Sequence, residues 1–211
     1  MIVISHRGYW KEPNEKNTFK AFERSFSLGY GTETDIRDYM GQLVVSHDMP
    51  TSESISVDDL FSAYKKYNIE KTAPLALNIK ADGLQLPLMT KLEEYKINNY
   101  FLFDMSIPDL KVTVEVGLKS YSRLSEFETD LPFYGSIKGI WLDSFVHTWY
   151  TKGILTEHLK NSKQICIVSA ELHRRDHLQQ WNELLNIGIQ EMENVILCTD
   201  LPEQASLYFN V

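Results

Sequence analysis

The chain has 211 residues, 43% of them hydrophobic and 12% aromatic, with a formal net charge of −8, the balance of one folded domain spanning residues 1–211. The acidic balance and the lack of a basic stripe argue against nucleic acid as a partner, because phosphate contacts carry most of that affinity. No apolar run approaches the ~20 residues that cross a bilayer, so no transmembrane segment is expected.

Strand-like runs are predicted at 1–5, 32–36, 43–46, 74–80, 100–104, 119–123, 139–143, 164–169 and 194–199. Helical spacing lies between most of them, at 17–28, 57–67, 85–95, within 108–116, and at 152–159 and 177–185. The run 43–46 follows 32–36 too closely for a crossover helix, and Tyr39-Met40-Gly41 reads as a tight turn joining the two. Counting that pair as one unit leaves eight β units. The alternation then predicts a compact (β/α)8 TIM barrel with trimmed loops, no large insertion and an incomplete set of helices. Cys166 and Cys198 each sit inside an apolar run and read as buried free thiols of a reducing compartment. With no charged leader before His6, a cytoplasmic protein is expected.

Polar residues with chemistry to offer gather at the ends of these runs. His6-Arg7-Gly8 closes the first, and His47-Asp48 closes the third. Glu33 and Asp35 stand two apart on a strand, so their side chains leave the same face. At a strand's C-terminal end they can share a hard cation such as Mg²⁺ or Ca²⁺, or simply pair with Arg37 or a lysine. A histidine pair suits cleavage of a P–O bond, where one proton leaves the nucleophile and another reaches the alkoxide. Arg7 offers a planar fork for phosphate oxygens, or an ion pair to Glu33, Asp35 or Asp48. Trp141 either stacks on a substrate headgroup or fills the barrel. Arg123, Glu171 and His173 are weaker candidates near later strand ends.

The ordered set His6-Arg7-Gly8, Glu15-Lys16-Asn17-Thr18, Glu33-Thr34-Asp35, Gly41 and Leu43-Val44-Val45-Ser46-His47-Asp48 resembles the glycerophosphodiester phosphodiesterase family. Its opening pattern is His-Arg-Gly, Glu-Asn-Thr, Glu-x-Asp and Gly-x-x-Val-Val-x-His-Asp. Leu77-Asn78-Ile79-Lys80, Gly139-Ile140-Trp141-Leu142-Asp143 and Cys198-Thr199-Asp200-Leu201-Pro202 agree more loosely. The resemblance implies a barrel that hydrolyses a small-molecule phosphodiester such as a glycerophospho-alcohol. It implies His6 and His47 as the acid–base pair, Arg7 and Lys80 as the phosphate-binding cations, and Glu33 and Asp35 as ligands of a divalent metal, Mg²⁺ or Ca²⁺. The nucleophile is then either the neighbouring glycerol hydroxyl, through a cyclic phosphate, or water.

Two departures stand out. Asn78 occupies the position of a family glutamate; its amide oxygen still serves as a metal ligand, but one negative charge is gone. The segment 49–56 lacks the family's substrate-capping insertion. Two alternatives follow: a related phosphodiesterase acting on a lipid or a glycerol-phosphate polymer, and a catalytically silent barrel that binds phosphodiesters.

Overall fold

The computed structural model describes residues 1–67 and 73–211. Its strands are β1 (Ile2–His6), β2 (Gly31–Tyr39), β3 (Gln42–Val45), β4 (Leu75–Ile79), β5 (Tyr100–Phe103), β6 (Tyr121–Leu124), β7 (Gly139–Leu142), β8 (Gln164–Val168) and β9 (Val195–Thr199). The helices among the described residues are α1 (Phe19–Ser27), α2 (Val57–Tyr67), α3 (Gln85–Glu94), α4 (Ile107–Glu115), α5 (Lys152–Lys160), α6 (His177–Asn186) and α7 (Pro202–Phe209).

Eight strands run in the order β5-β4-β2-β1-β9-β8-β7-β6, and every pairing along that path is parallel. The ends of the path, β5 and β6, meet through one bridge, Leu102 to Ser120, where Leu102 N–H donates to the Lys119 carbonyl at 2.8 Å. The result is a nearly closed barrel of the (β/α)8 kind. As the sequence predicts, β3 is an antiparallel extension of β2 with Tyr39 opposite Gln42. Met40 and Gly41 between them have φ of 50° and 80°, the two left-handed positions that a two-residue hairpin turn requires.

The helices form where their spacing and caps dictate. Thr18, Ser106, Thr151 and Asp176 each accept a backbone N–H from the first turn that follows, satisfying donors the helix leaves open. Phe22 and Phe26 of α1 pack with Leu60, Phe61 and Tyr64 of α2 against β2 and β4. Trp181, Leu184 and Phe209 of α6 and α7 pack against β8 and β9 on the other side. The helix missing from the set is the one between β6 and β7: residues 125–138 cross as a loop. The Glu126 carboxylate pins that loop by accepting the backbone N–H groups of Phe145 and Val146 at 3.0 and 2.7 Å. Helix α7 is absent from the sequence-based reading, although Pro202 at its first turn followed by Glu203 is a start signal.

Inside the barrel, every second residue points inward. Ile4, Ala76, Phe101, Phe103, Tyr121, Trp141, Cys166, Val168, Ile196 and Cys198 form one buried cluster. Aromatic stacking reinforces the thinly bonded seam: Phe101 lies on Tyr121 with centroids 3.7 Å apart, and Phe103 on Trp141 at 3.8 Å. Both cysteines are buried and free, as expected.

The chain leaves β1 through Arg7 and Gly8, both left-handed with φ of 57° and 78°. A Cβ at Gly8 would stand 2.7 Å from Ala21 Cβ and 2.9 Å from the Ala21 carbonyl carbon, so α1 and this turn fit only around glycine. Gly8→Ala is expected to lower stability by roughly 1–3 kcal/mol, read as a reduced urea midpoint.

Candidate active site at the mouth of the barrel

The inward parity that fills the barrel with apolar side chains turns polar at the C-terminal strand ends. His6 continues the Ile4 side of β1, Glu33 and Asp35 share a face of β2, and Asn78 continues the Ala76 side of β4. Asp35 and Asn78 are register partners across β2 and β4. Glu33, Asp35 and Asn78 are buried, at 2%, 0% and 8% exposure.

An imidazole, a guanidinium and an ammonium surround this acidic pair. His6 Nε2 lies 3.8 Å from Glu33 Oε2, while its Nδ1 is 2.8 Å from Asp200 Oδ1. Trp10 Nε1–H donates to the same Asp200 oxygen at 3.2 Å. Arg7 Nε is 3.1 Å from Asp35 Oδ2, and Lys80 Nζ is 3.5 Å from Asp35 Oδ1. Asn17, left-handed at φ 57°, donates its Nδ2–H to Asp35 Oδ2 at 2.8 Å and accepts from Thr34 Oγ1 at 2.9 Å. The Glu15-Lys16-Asn17-Thr18 stretch thus orients Asp35. Glu15 itself anchors the stretch through Arg24 and Lys20, which hold its carboxyl far below the usual range.

Burial and the adjacent Asp35 charge push the Glu33 carboxyl up to about 7, against the opposing pull of His6, Arg7 and Lys80. A carboxylate raised this way at the C-terminal mouth of a barrel is a common mark of a reactive site.

His47 stands apart from this cluster. Its ring is 45% exposed and 2.9 Å from Asp48 Oδ1, and among the described residues no hydrogen bond or ion pair joins it to His6, Glu33 or Asp35. It lines an open groove together with Arg7 and Asn17, so the link between His47 and the buried cluster runs along the Arg7 side. Trp141 is 5% exposed and covered by Phe103, so its indole is barrel filling, with Nε1–H on Asp143 Oδ2 at 3.2 Å. Glu171, a weaker candidate from the sequence, is bound into the strand ends. Its oxygens accept from Ser169 Oγ, Thr199 Oγ1 and Asp200 N–H, tying β8 to β9. His173 pairs with Asp143 at 2.5 Å.

Among the described residues, no group of three or more His, Cys, Asp and Glu side chains is arranged to hold a metal ion. The oxygen donors that share the inner face of β2 and β4 at this level are two carboxylates and an amide. Glu33 Oε2, Asp35 Oδ1 and Asn78 Oδ1 are all buried without a hydrogen-bond partner. Buried oxygens are rarely left so, and three of them on adjacent strands suit a hard divalent cation. The residues present therefore fit the metal implied by the sequence resemblance, with one charge fewer.

The sequence alone assigns no role to Asn17, Asp104, Asp143 or Asp200. The last three follow apolar strand runs, the same signal that marks His6 and His47.

No protein-family model matches the chain, and no curated protein matches its sequence. Solved structures do match. A candidate glycerophosphodiester phosphodiesterase from Galdieria sulphuraria has a TM-score of 0.77 at 16% identity, covering 100% of this chain and 98% of its own. A phosphodiesterase from Oleispira antarctica in complex with the product sn-glycerol-3-phosphate has a TM-score of 0.71 at 12% identity, covering 100% and 97%. The chain shares the fold of these proteins. A Ca²⁺-dependent phosphatidylinositol-specific phospholipase C from Streptomyces antibioticus is more distant, with a TM-score of 0.56 at 10% identity over 99% and 95%. No helix among the described residues is long and apolar enough to cross a membrane.

The raised Glu33 pKa has a stability consequence. The fold shifts its carboxyl from 4.5 to about 7, so the metal-free folded protein holds a proton that the unfolded chain releases. Its burden on the fold is absent below the lower value, grows between the two, and is constant above the higher one. Glu33→Gln is expected to raise the urea midpoint more at about pH 8 than at about pH 5. An equal gain at both would contradict the assigned shift.

Proposed function

We propose that this protein is a metal-dependent phosphodiesterase that hydrolyses glycerophosphodiesters to glycerol phosphate and an alcohol. The observation that carries this reading is a set of three buried oxygens without a hydrogen-bond partner, on Glu33, Asp35 and Asn78 of the paired strands β2 and β4, beside His6, Arg7 and Lys80 at the barrel mouth. The fold shared with the Galdieria and Oleispira proteins supports it.

In this reading Glu33, Asp35 and Asn78 hold Mg²⁺ or Ca²⁺, which when bound would polarise a phosphate oxygen and offset charge growing in the transition state. Arg7 and Lys80 hold the non-bridging oxygens, the guanidinium as a fork and the ammonium as a point charge. His6, fixed through Nδ1 by Asp200, turns Nε2 into the site as one proton carrier. His47, on the solvent side of Arg7, is the other, so that one imidazole takes a proton from the nucleophile and the other supplies the leaving alkoxide. The reading includes a cytoplasmic location for the reaction.

The purified protein is expected to turn over glycerophosphocholine or glycerophosphoethanolamine with Mg²⁺ or Ca²⁺. His6→Ala and His47→Ala should each lower kcat by about 10²–10⁴-fold with an unchanged circular dichroism spectrum. Full activity in either variant removes that histidine from the chemistry, and no turnover of any diester removes the reading.

One observation, Asn78, favours the silent-barrel alternative, and a single substitution separates the two. Asn78→Glu is expected to tighten metal binding, read by calorimetry, in a protein that is already active. Activity that appears only in the variant would mean that the natural chain binds diesters without cleaving them.

A further inference from the structure

Asp104 directly follows β5 and has a φ of 71°, a left-handed conformation that few side chains other than asparagine and aspartate adopt readily. The strained turn aims its carboxylate at two cations. Oδ2 lies 3.4 Å from Lys80 Nζ, and Oδ1 lies 2.8 Å from Arg123 Nη1. On its far side Arg123 Nε pairs with Glu128. Lys80 Nζ is also 3.5 Å from Asp35 Oδ1. Charges therefore alternate across the mouth, from Asp35 through Lys80, Asp104 and Arg123 to Glu128.

The Lys80 ammonium is unusual in this series. It sits between two carboxylates at nearly equal distance, donating a hydrogen bond to Asp104 Oδ2 at 3.4 Å and none to Asp35 Oδ1 at 3.5 Å, whereas an ammonium closed on one carboxylate settles near ~2.7–2.9 Å. Asp35 is the more deeply buried of the two, at 0% side-chain exposure against 18% for Asp104, and attraction is stronger where water is excluded. Without an opposing charge the ammonium would collapse onto Asp35 Oδ1, one of the three oxygens without a hydrogen bond.

We infer that Asp104 is a positioning residue that holds Lys80 off Asp35. It keeps Oδ1 open to a divalent cation and leaves the ammonium free to face a phosphate. What that oxygen binds rests on the function proposed above; the restraint on Lys80 does not.

Asp104→Asn tests this cleanly, because asparagine tolerates the left-handed backbone and removes only the charge. In a crystal structure of the metal-free variant, Lys80 Nζ is expected to move to about 2.8 Å from Asp35 Oδ1; an unmoved ammonium overturns the inference. Calorimetric titration with Mg²⁺ and Ca²⁺ should show the Kd rising about tenfold in Asp104→Asn. The same substitution should have no effect in a Lys80→Gln background. Equal weakening in both backgrounds means that only net charge was lost, which also overturns it. If the unsubstituted protein binds neither cation, the metal assignment of Glu33, Asp35 and Asn78 fails, and the crystallographic distance alone decides the role of Asp104.

Discussion

Two carboxylates held side by side out of water are the constraint around which the mouth of this barrel is arranged. Glu33 and Asp35 leave one face of β2 into a space where bare charge is costly. The fold tolerates them because the flanking strands deliver nitrogen-bearing side chains to the same level, two of them cationic. His6 comes from β1, Arg7 from the left-handed turn after it, and Lys80 from the end of β4. That delivery depends on parallel register: β1 pairs His6 with Glu33, and β4 pairs Asn78 with Asp35. A shift of one residue in either pairing would turn a charge into the helical layer.

The same parity explains why the site is dry enough to matter. Below the polar mouth the inward positions are aromatic or small and apolar, and Phe101 on Tyr121 and Phe103 on Trp141 fill the region beneath the β5–β6 seam. One bridge is weak closure by hydrogen bonding, so ring stacking of roughly 0.5–1.5 kcal/mol per pair contributes materially there. Water excluded from below leaves solvent only one approach, from above. Coulombic effects among Glu33, Asp35, Lys80 and Asp104 are strengthened accordingly.

Much of this architecture is legible in the amino-acid sequence, because its signals are local. Alternating apolar runs and helical spacing locate the nine strands of the described residues, and Tyr39-Met40-Gly41 announces the β2–β3 hairpin. The position of Glu33 and Asp35 on one face follows from a period of two. What the sequence does not reveal is anything set by closure. Asp200 meets His6 across 194 residues, and Asp104 meets Lys80 across 24 residues, and in neither case does the spacing hint at contact. The burial of Trp141 likewise depends on Phe103, a residue of another strand. His47 shows the converse: its motif position suggests the centre of the site, yet the ring lies out on Asp48, because β3 is a hairpin arm outside the barrel path.

Asn78 makes physical sense within that charge balance. Glu33 and Asp35 face two cationic side chains, Arg7 and Lys80, matching the two carboxylates in number. A glutamate at position 78 would add a third buried anion directly across from Asp35, in a place where Glu33 is already driven up to about 7 by burial and by Asp35. Each acid would raise the others, and the metal-free fold would bear the repulsion. The amide keeps an oxygen donor in place without that repulsion. Under the proposed chemistry, the negative charge that a third carboxylate would supply to a bound cation comes instead from the phosphate of the diester. Metal and substrate would then bind with mutual support, and the resting protein would keep a lightly held cation or none.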